Sequence, residues 1–351
     1  MKAQRPGDIL LVDSDQKYLE SIGAVLQQAE HRVTCSLTTQ QAEKMLAGGS
    51  FEVVLCSRNI SGGSGDALCN YIKAQTDLSG IVVGLLVEGN QEVDWRLDAP
   101  VSGAGLAMSN NSNQQVETPP DDLISKRATA AELLLRVQGL LRQRRYLEEI
   151  QNSVITLTKI AEGIEEQDKR ARGHCQRISI MAVQLGAVLG CDDWQLTTLE
   201  RAGYLHDIGK VCIPGAIIDK SQPLSPREME IIRDHCILGE KLCSEVAALR
   251  PVLPVIRHHH ERSDGTGYPD GLRGDQIPVL AQIFSIVDIY DAMRMWRPFR
   301  PPMNEVQAID VMRQEVARGF WNRYIFTAFE QHVLTGLEER LDALHILWPR
   351  F

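Results

Sequence analysis

His206-Asp207-Ile208-Gly209-Lys210 opens the stretch on which the reading of this chain turns. The stretch passes through His235 and closes on His259-His260-Glu261-Arg262-Ser263-Asp264-Gly265-Thr266-Gly267-Tyr268-Pro269. Five of the chain's nine histidines stand between His206 and Tyr268. Imidazole and carboxylate together suit Fe, Mn, Zn or Co, so the set reads as a metal site. Any one of these histidines, taken alone, reads better as an ordinary core or surface residue. The set is not a chance collection, because each member also falls on a helix face or loop suited to a site.

Further polar groups stand at apolar positions on either side. His174 lies on the stripe of Ile178, Met181, Leu185 and Val188. A histidine there needs a partner, either a backbone carbonyl or a metal. His206 and Asp207 end a helix that begins near Trp194. Adjacent helical residues point about 100° apart, so the pair can reach one metal cluster from two directions. Lys210, one turn on, either faces the same cavity or is solvated. Ser225-Pro226-Arg227-Glu228 forms a capping box with Pro at the first helical position. The resulting register puts His235 on the face of Ile231, Ile232, Leu238 and Leu242. His258, His259 and His260 are successive, so at most two can face one site. The loop from Asp264 to Pro269 has turn chemistry throughout, and its glycines would let backbone approach a bound phosphate. Asp288, in a helix over 281–293 with Phe284 and Val287, wants a metal or a cation. Arg297 and Arg300 either clamp phosphate or form an ordinary basic loop.

At 351 residues the chain should hold about two domains, each able to bury a core. A net charge of −9 argues against general nucleic-acid binding. No apolar run reaches the roughly 18 residues of a membrane span. Met1 to Pro6 runs straight into the short apolar segment 9–12, too short for a signal-peptide core. The eight cysteines form no CxxC and no paired framework, which predicts reduced thiols and a cytoplasmic protein.

Residues 8–126 alternate short apolar strands (9–12, 32–36, 53–56, 81–86, 123–125) with helices near 16–28, 39–47 and 66–75. That alternation predicts α/β with a parallel sheet. From 129 to 166 no Pro occurs, and Leu133, Val137, Leu140, Leu147, Val154, Leu157, Ala161 and Ile164 make one stripe broken by Arg144. Either this is a coiled-coil helix or two helices meet near 142–145. From Asp168 on, the pattern is almost wholly helical.

Over 150–340 the chain resembles the HD-GYP family of metal-dependent phosphodiesterases. The resemblance rests on His206-Asp207, His235, His259-His260-Glu261, Asp264 through Pro269, Asp288 and Arg297-Pro298-Phe299-Arg300, in that order. Residues 8–126 resemble a response-regulator receiver, by strand order and Lys126. Ser57 replaces the receiver's phosphoacceptor Asp, Ser14 stands between Asp13 and Asp15 where a second acid is usual, and Arg127 replaces a Pro. A serine cannot form the acyl phosphate that switches a receiver, so the fold is expected without its chemistry. The polar run from Ser109 to Pro120 predicts a mobile loop and a distorted or missing fourth receiver helix.

The fold expected is therefore an α/β flavodoxin-like receiver with a five-stranded parallel sheet (1–128), a connecting helix (129–166) and an all-α HD-domain bundle (167–351). By resemblance, His174, His206, Asp207 and Asp288 form the quartet common to HD hydrolases. His235, His259 and His260 complete a second metal site with Asp207 bridging. Two divalent ions, Fe or Mn, are implied, with Asp207 and Lys210 as catalytic groups. Lys210 with Arg297 or Arg300 would hold phosphate, while Gly267 and Tyr268 shape the loop over it. Arg170 stands where some members carry a Glu for a third metal; Met295-Trp296 and Phe299 also depart from the family pattern.

The resemblance implies hydrolysis of cyclic di-GMP to pGpG, or on to GMP, at two metals that activate a water for in-line attack. It further implies homodimerisation through the connecting helix and signalling-protein partners. The competing readings are a dinucleotide-binding scaffold without turnover, motivated by the degenerate receiver, and an HD phosphohydrolase of another nucleotide.

Overall fold

A computed structural model describes residues 5–88 (except 76 and 79), 119–167, 173–295 (except 219 and 221) and 301–335, with 337, 340, 341 and 344 beyond them. Two compact units divide the chain, Met1–Glu149 and Ile150–Phe351.

The first unit carries five parallel strands, β1 (Asp8–Val12), β2 (Arg32–Ser36), β3 (Val53–Ser57), β6 (Val82–Val87) and β7 (Asp122–Ser125), ordered β2-β1-β3-β6-β7. A two-stranded turn, β4 (Asn59–Ile60) with β5 (Gly63–Ser64), follows β3. Renumbered within the sheet this is the 2-1-3-4-5 order of flavodoxin-like folds. The central strands β1, β3 and β6 read as near-continuous apolar runs because both their faces are covered, whereas the edge strand β2 is largely exposed. Leu10, Val12, Val54, Cys56, Val83 and Leu85 pack with residues of α2 (Thr39–Gly48) and α3 (Gly65–Ala74). Their neighbours Ile9, Leu11, Val53, Leu55, Val82 and Leu86 pack with α1 (Gln16–Gln28) and with Leu133, Val137, Leu140 and Leu141. Asp15 caps α1 through Lys17 and Tyr18 N–H, so its carboxylate is committed to the helix end.

Ser57 Oγ hydrogen-bonds Asp13 Oδ2 in the buried floor of the sheet, and Lys126 Nζ lies 2.7 Å from the same oxygen. The three residues picked out around the phosphoacceptor position thus satisfy one another. The predicted loop over 109–120 and the fourth receiver helix fall outside the described residues, apart from Pro119 and Pro120.

α4 (Ala130–Gln167) is one unbroken helix of 38 residues, and its apolar stripe is not a single seam. Leu133, Val137 and Leu140 are buried in the first unit's core, Ala161 belongs to the second's, and Leu147 is exposed. No Pro or Gly pair interrupts 142–145, so the helix continues where its packing partner changes.

The second unit is helical: α5 (His174–Val188), α6 (Asp193–Leu205), α7 (Gly215–Ile218), α8 (Pro226–Arg233), α9 (His235–Ser244), α10 (Leu253–His258), α11 (Val279–Arg294), α12 (Glu305–Ala317) and α13 (Arg323–Ala328). Its core gathers Ile178, Met181 and Leu185 with Phe284, Val287, Tyr290 and Phe329. Two expected faces are corrected. Val188 is 46% exposed at the end of α5. The helix begun by Ser225 stops at Asp234 and α9 starts afresh at His235, so Leu242 is exposed. His235 is buried instead with Cys236, Gly239 and Cys243.

Candidate metal centre

Glycines let the histidine-bearing segments meet. The 3-10 turn Ile208–Cys212 follows His206-Asp207 and packs on α9 at Gly209, where a Cβ would overlap the His235 carbonyl oxygen and the Gly239 amide. Only a glycine allows that approach, which carries Asp207 to His235. His206 caps α6, His259 caps α10, and Gly173, at φ 74°, starts α5. Glu165 accepts from the free N–H groups of His174 and Cys175 at 3.0 and 2.9 Å.

Three imidazoles are oriented alike. Nδ1 of His206 lies 3.3 Å from Gly203 O, that of His235 2.7 Å from Ile232 O, and that of His259 2.8 Å from Ile256 O. Each carbonyl takes an Nδ1–H, which leaves the Nε2 lone pair facing inward. His174 uses a carboxylate instead: its Nδ1 lies 2.7 Å from Asp291 Oδ2 while Nε2 faces Asp288 Oδ1 at 3.7 Å. Asp291 is itself gripped by Arg177, Nε to Oδ1 at 2.7 Å, and both side chains are fully buried. Met295 Sδ accepts from the same guanidinium at 3.1 Å.

Donor atoms therefore collect into overlapping groups, each within 4.8 Å: His174, His206 and Asp288; His206, Asp207 and His259; and His235, Cys236, His259 and His260. A further group, His258, Glu261 and Asp270, stands apart, and its Asp270 is paired with Arg257.

The first three groups fit divalent cations. His235 Nε2 and His259 Nε2 stand 3.4 Å apart with lone pairs opposed. His206 Nε2 and Asp207 Oδ1 are buried without a hydrogen bond among the described residues, although ionic contacts at 3.2 Å join His206 to Asp207 and His235 to Asp207. Burial, helped by neighbouring imidazoles, pushes His259 far below the usual histidine range, and burial likewise pushes His260 down to about 4. Both imidazoles are therefore neutral at neutral pH, with lone pairs to offer a cation. Burial alone would raise Asp207, but Lys210 and His206 outweigh it and hold the carboxylate well below its ordinary value. Lys210 Nζ hydrogen-bonds Asp207 Oδ2. For His174 burial acts downward, and Asp291 more than reverses it.

The Gly-Tyr-Pro loop is built by its own chain. Glu261, 1% exposed, accepts from the N–H groups of Asp270, Gly271 and Leu272 at 2.7 to 3.0 Å. Asp264 accepts from Thr266 N–H at 3.0 Å in an Asx turn, and Gly265 has φ 83°. A Cβ on Gly267 would overlap the backbone of Glu261 and Arg262. That close approach of backbone to backbone requires a glycine at 267. Tyr268 lays its ring 4.8 Å from that of His260, with the Arg233 guanidinium 5.0 Å over it.

The structure thus brings together His174, His206, Asp207, Lys210, His235, His259, His260, Tyr268 and Asp288. Arg170, Arg297, Arg300 and Phe299 lie outside the described residues, as does Trp296. The sequence reading missed Arg177 and Asp291, the anchoring role of Glu261, the contact at Gly209, and Cys236. For Arg177 and Asp291 no local signal was available, since the two lie 114 residues apart in the chain.

Among the described residues no helix is long and apolar enough to cross a membrane. Residues 159–320 match the HD domain family. The chain is 26% identical over 324 residues to a protein of Thermotoga maritima named cyclic di-GMP phosphodiesterase, covering 84% of this chain and 82% of that one. It is 35% identical over 152 residues to the cyclic di-GMP phosphodiesterase response regulator RpfG of Xanthomonas campestris pv. campestris, covering 41% of this chain and 39% of that one. It is 28% identical over 188 residues to 3'3'-cGAMP-specific phosphodiesterase 3 of Vibrio cholerae, covering 54% and 39%. The chain thus spans most of the first relative's length but about two fifths of the other two. A parallel sheet in 2-1-3-4-5 order thus precedes a helical segment that matches the HD domain family and carries the Gly-Tyr-Pro loop.

Proposed function

We propose that the chain is a metal-dependent phosphodiesterase that hydrolyses cyclic di-GMP to the linear dinucleotide. The observation that carries this reading is the convergence of His174, His206, Asp207, His235, His259, His260 and Asp288, with Lys210 at its edge. His174, His206, Asp207 and Asp288 would hold one ion; His235, His259 and His260 would hold a second with Asp207 shared. Iron or manganese suits this nitrogen–oxygen donor set. Bound divalent ions polarise a phosphoryl oxygen and acidify a water for in-line attack.

The chain's own groups do the rest. The Nδ1 bonds fix the imidazoles before substrate arrives, so little reorganisation is needed. Lys210 places positive charge beside Asp207, where a non-bridging phosphate oxygen would sit. Tyr268, held by His260 and Arg233, walls the site under the loop that Glu261 anchors. Ser57 leaves the receiver domain without a phosphorylation switch, so regulation through it would come from binding or assembly.

The names of relatives support two substrates, cyclic di-GMP and 3'3'-cGAMP. Incubating the metal-loaded chain with each, and following products by chromatography, tests both readings. Turnover of neither would leave the non-catalytic binding reading.

A further inference from the structure

Cys236 is fully buried on the first turn of α9, and its Sγ lies 3.5 Å from His235 Nε2. Its sulfur and one nitrogen each of His235, His259 and His260 fall within 4.8 Å of one another. The distances match those of a tetrahedral site. Zinc–nitrogen and zinc–sulfur bonds of about 2.0–2.1 and about 2.3 Å, at tetrahedral angles, put two nitrogens roughly 3.3–3.4 Å apart and a nitrogen and sulfur roughly 3.5–3.6 Å apart. The observed Nε2–Nε2 separation is 3.4 Å and the Sγ–Nε2 separation 3.5 Å.

We propose that Cys236 is a metal ligand, completing with His235, His259 and His260 a nitrogen–sulfur set that favours zinc, cobalt or iron(II) over manganese. This rests on the metal-centre reading above and adds a sulfur to it. Thiolate is a soft donor, and among first-row transition metals manganese(II) is the divalent ion it suits least. As the sulfur–metal bond forms, the thiol proton leaves to solvent.

The test uses the full chain, stripped of metal and reloaded with cobalt(II) alone. The expected spectrum has visible ligand-field bands, reporting cobalt in the site, and a near-ultraviolet sulfur-to-cobalt charge-transfer band. Cys236→Ser should lose the second band, keep the first, and bind cobalt at least roughly 10–100-fold more weakly, the loss typical when only a ligand's outer hydrogen-bond partner is removed. Cys243→Ser, altering a buried cysteine two turns further along α9, should keep both bands. X-ray absorption of the zinc-loaded chain should show sulfur at about 2.3 Å. Ligand-field bands without charge transfer in the unaltered chain would overturn the proposal while leaving the metal centre standing. Failure to bind cobalt at all would overturn both. Loss of the charge-transfer band in Cys243→Ser would assign the sulfur elsewhere and sink the proposal. The unaltered chain decides the matter even if Cys236→Ser does not fold.

Discussion

Asp291 Oδ2 lies 2.7 Å from His174 Nδ1, and this one contact ties the helical core to the candidate metal centre. Asp291 sits on α11 one turn after Asp288, so a single helix supplies both an inward carboxylate and the group that aims His174 at it. Arg177 keeps Asp291 charged: burial opposes ionisation, but the guanidinium and His174 hold the carboxyl far below its usual range. A carboxylate–histidine–metal chain of this kind fixes the imidazole tautomer and strengthens it as a ligand.

Asp291→Asn is therefore expected to weaken metal binding roughly 10–100-fold while leaving every proposed ligand in place. It also removes the carboxylate that the buried Arg177 grips, and breaking such a pair costs about 3–5 kcal/mol. Metal titration by calorimetry, alongside urea unfolding, measures both effects. An unchanged metal affinity in a destabilised protein would reduce Asp291 to a structural partner of Arg177.

Glu261→Gln should loosen the loop without touching a proposed ligand. The carboxylate accepts three backbone N–H groups with two oxygens, whereas an amide offers one oxygen and turns an N–H group toward donors. Each charge-assisted bond lost costs about 1.5–3 kcal/mol. Proteolysis and amide exchange should accelerate at 264–272, and KM should rise more than kcat falls. Unaltered exchange in that segment would show that the turn residues alone hold the loop.

How much of this was legible differs by element. The strands could be read almost to the residue because runs such as Ile9-Leu10-Leu11-Val12 are apolar on both faces and end at capping residues like Asp15. The inward histidines could be read because imidazole on an apolar stripe conflicts with burial. Arg177 and Asp291 could not: they cancel each other across 114 residues of chain, and nothing local marks either as paired. Cys236 reads as a small hydrophobe wherever it falls. The face of His235 was misjudged because the break at Asp234 resets the helical register, and no Pro or Gly announces it.

Ser57 yields a chemical prediction for the first unit. Acetyl phosphate should leave no base-labile acyl phosphate on the full chain, because Ser57 cannot form one and Asp13 is engaged by Ser57 and Lys126. Phosphate-affinity electrophoresis with hydroxylamine treatment is the readout. A hydroxylamine-sensitive band lost in Asp13→Asn would show that Asp13 has taken over as acceptor.

The same trio makes the first unit sensitive to acid. Burial would raise Asp13, but hydrogen bonds from Lys126 and Ser57 outweigh it and set the folded carboxyl below its ordinary value. The unfolded chain then binds a proton more readily than the folded one, so this group stabilises the fold fully above the unfolded pKa of about 3.9. That contribution declines as pH falls through this value toward the lower folded pKa. Amide exchange in peptides spanning 8–12 and 53–57 should therefore accelerate between roughly pH 5 and pH 3, after correction for intrinsic rates. Asp13→Asn should exchange faster than the unaltered chain at pH 6, yet show less acceleration across the acid range, because its amide does not titrate. Parallel pH profiles for the two proteins would mean that other carboxylates govern the acid response and that the Asp13–Lys126 contact contributes little.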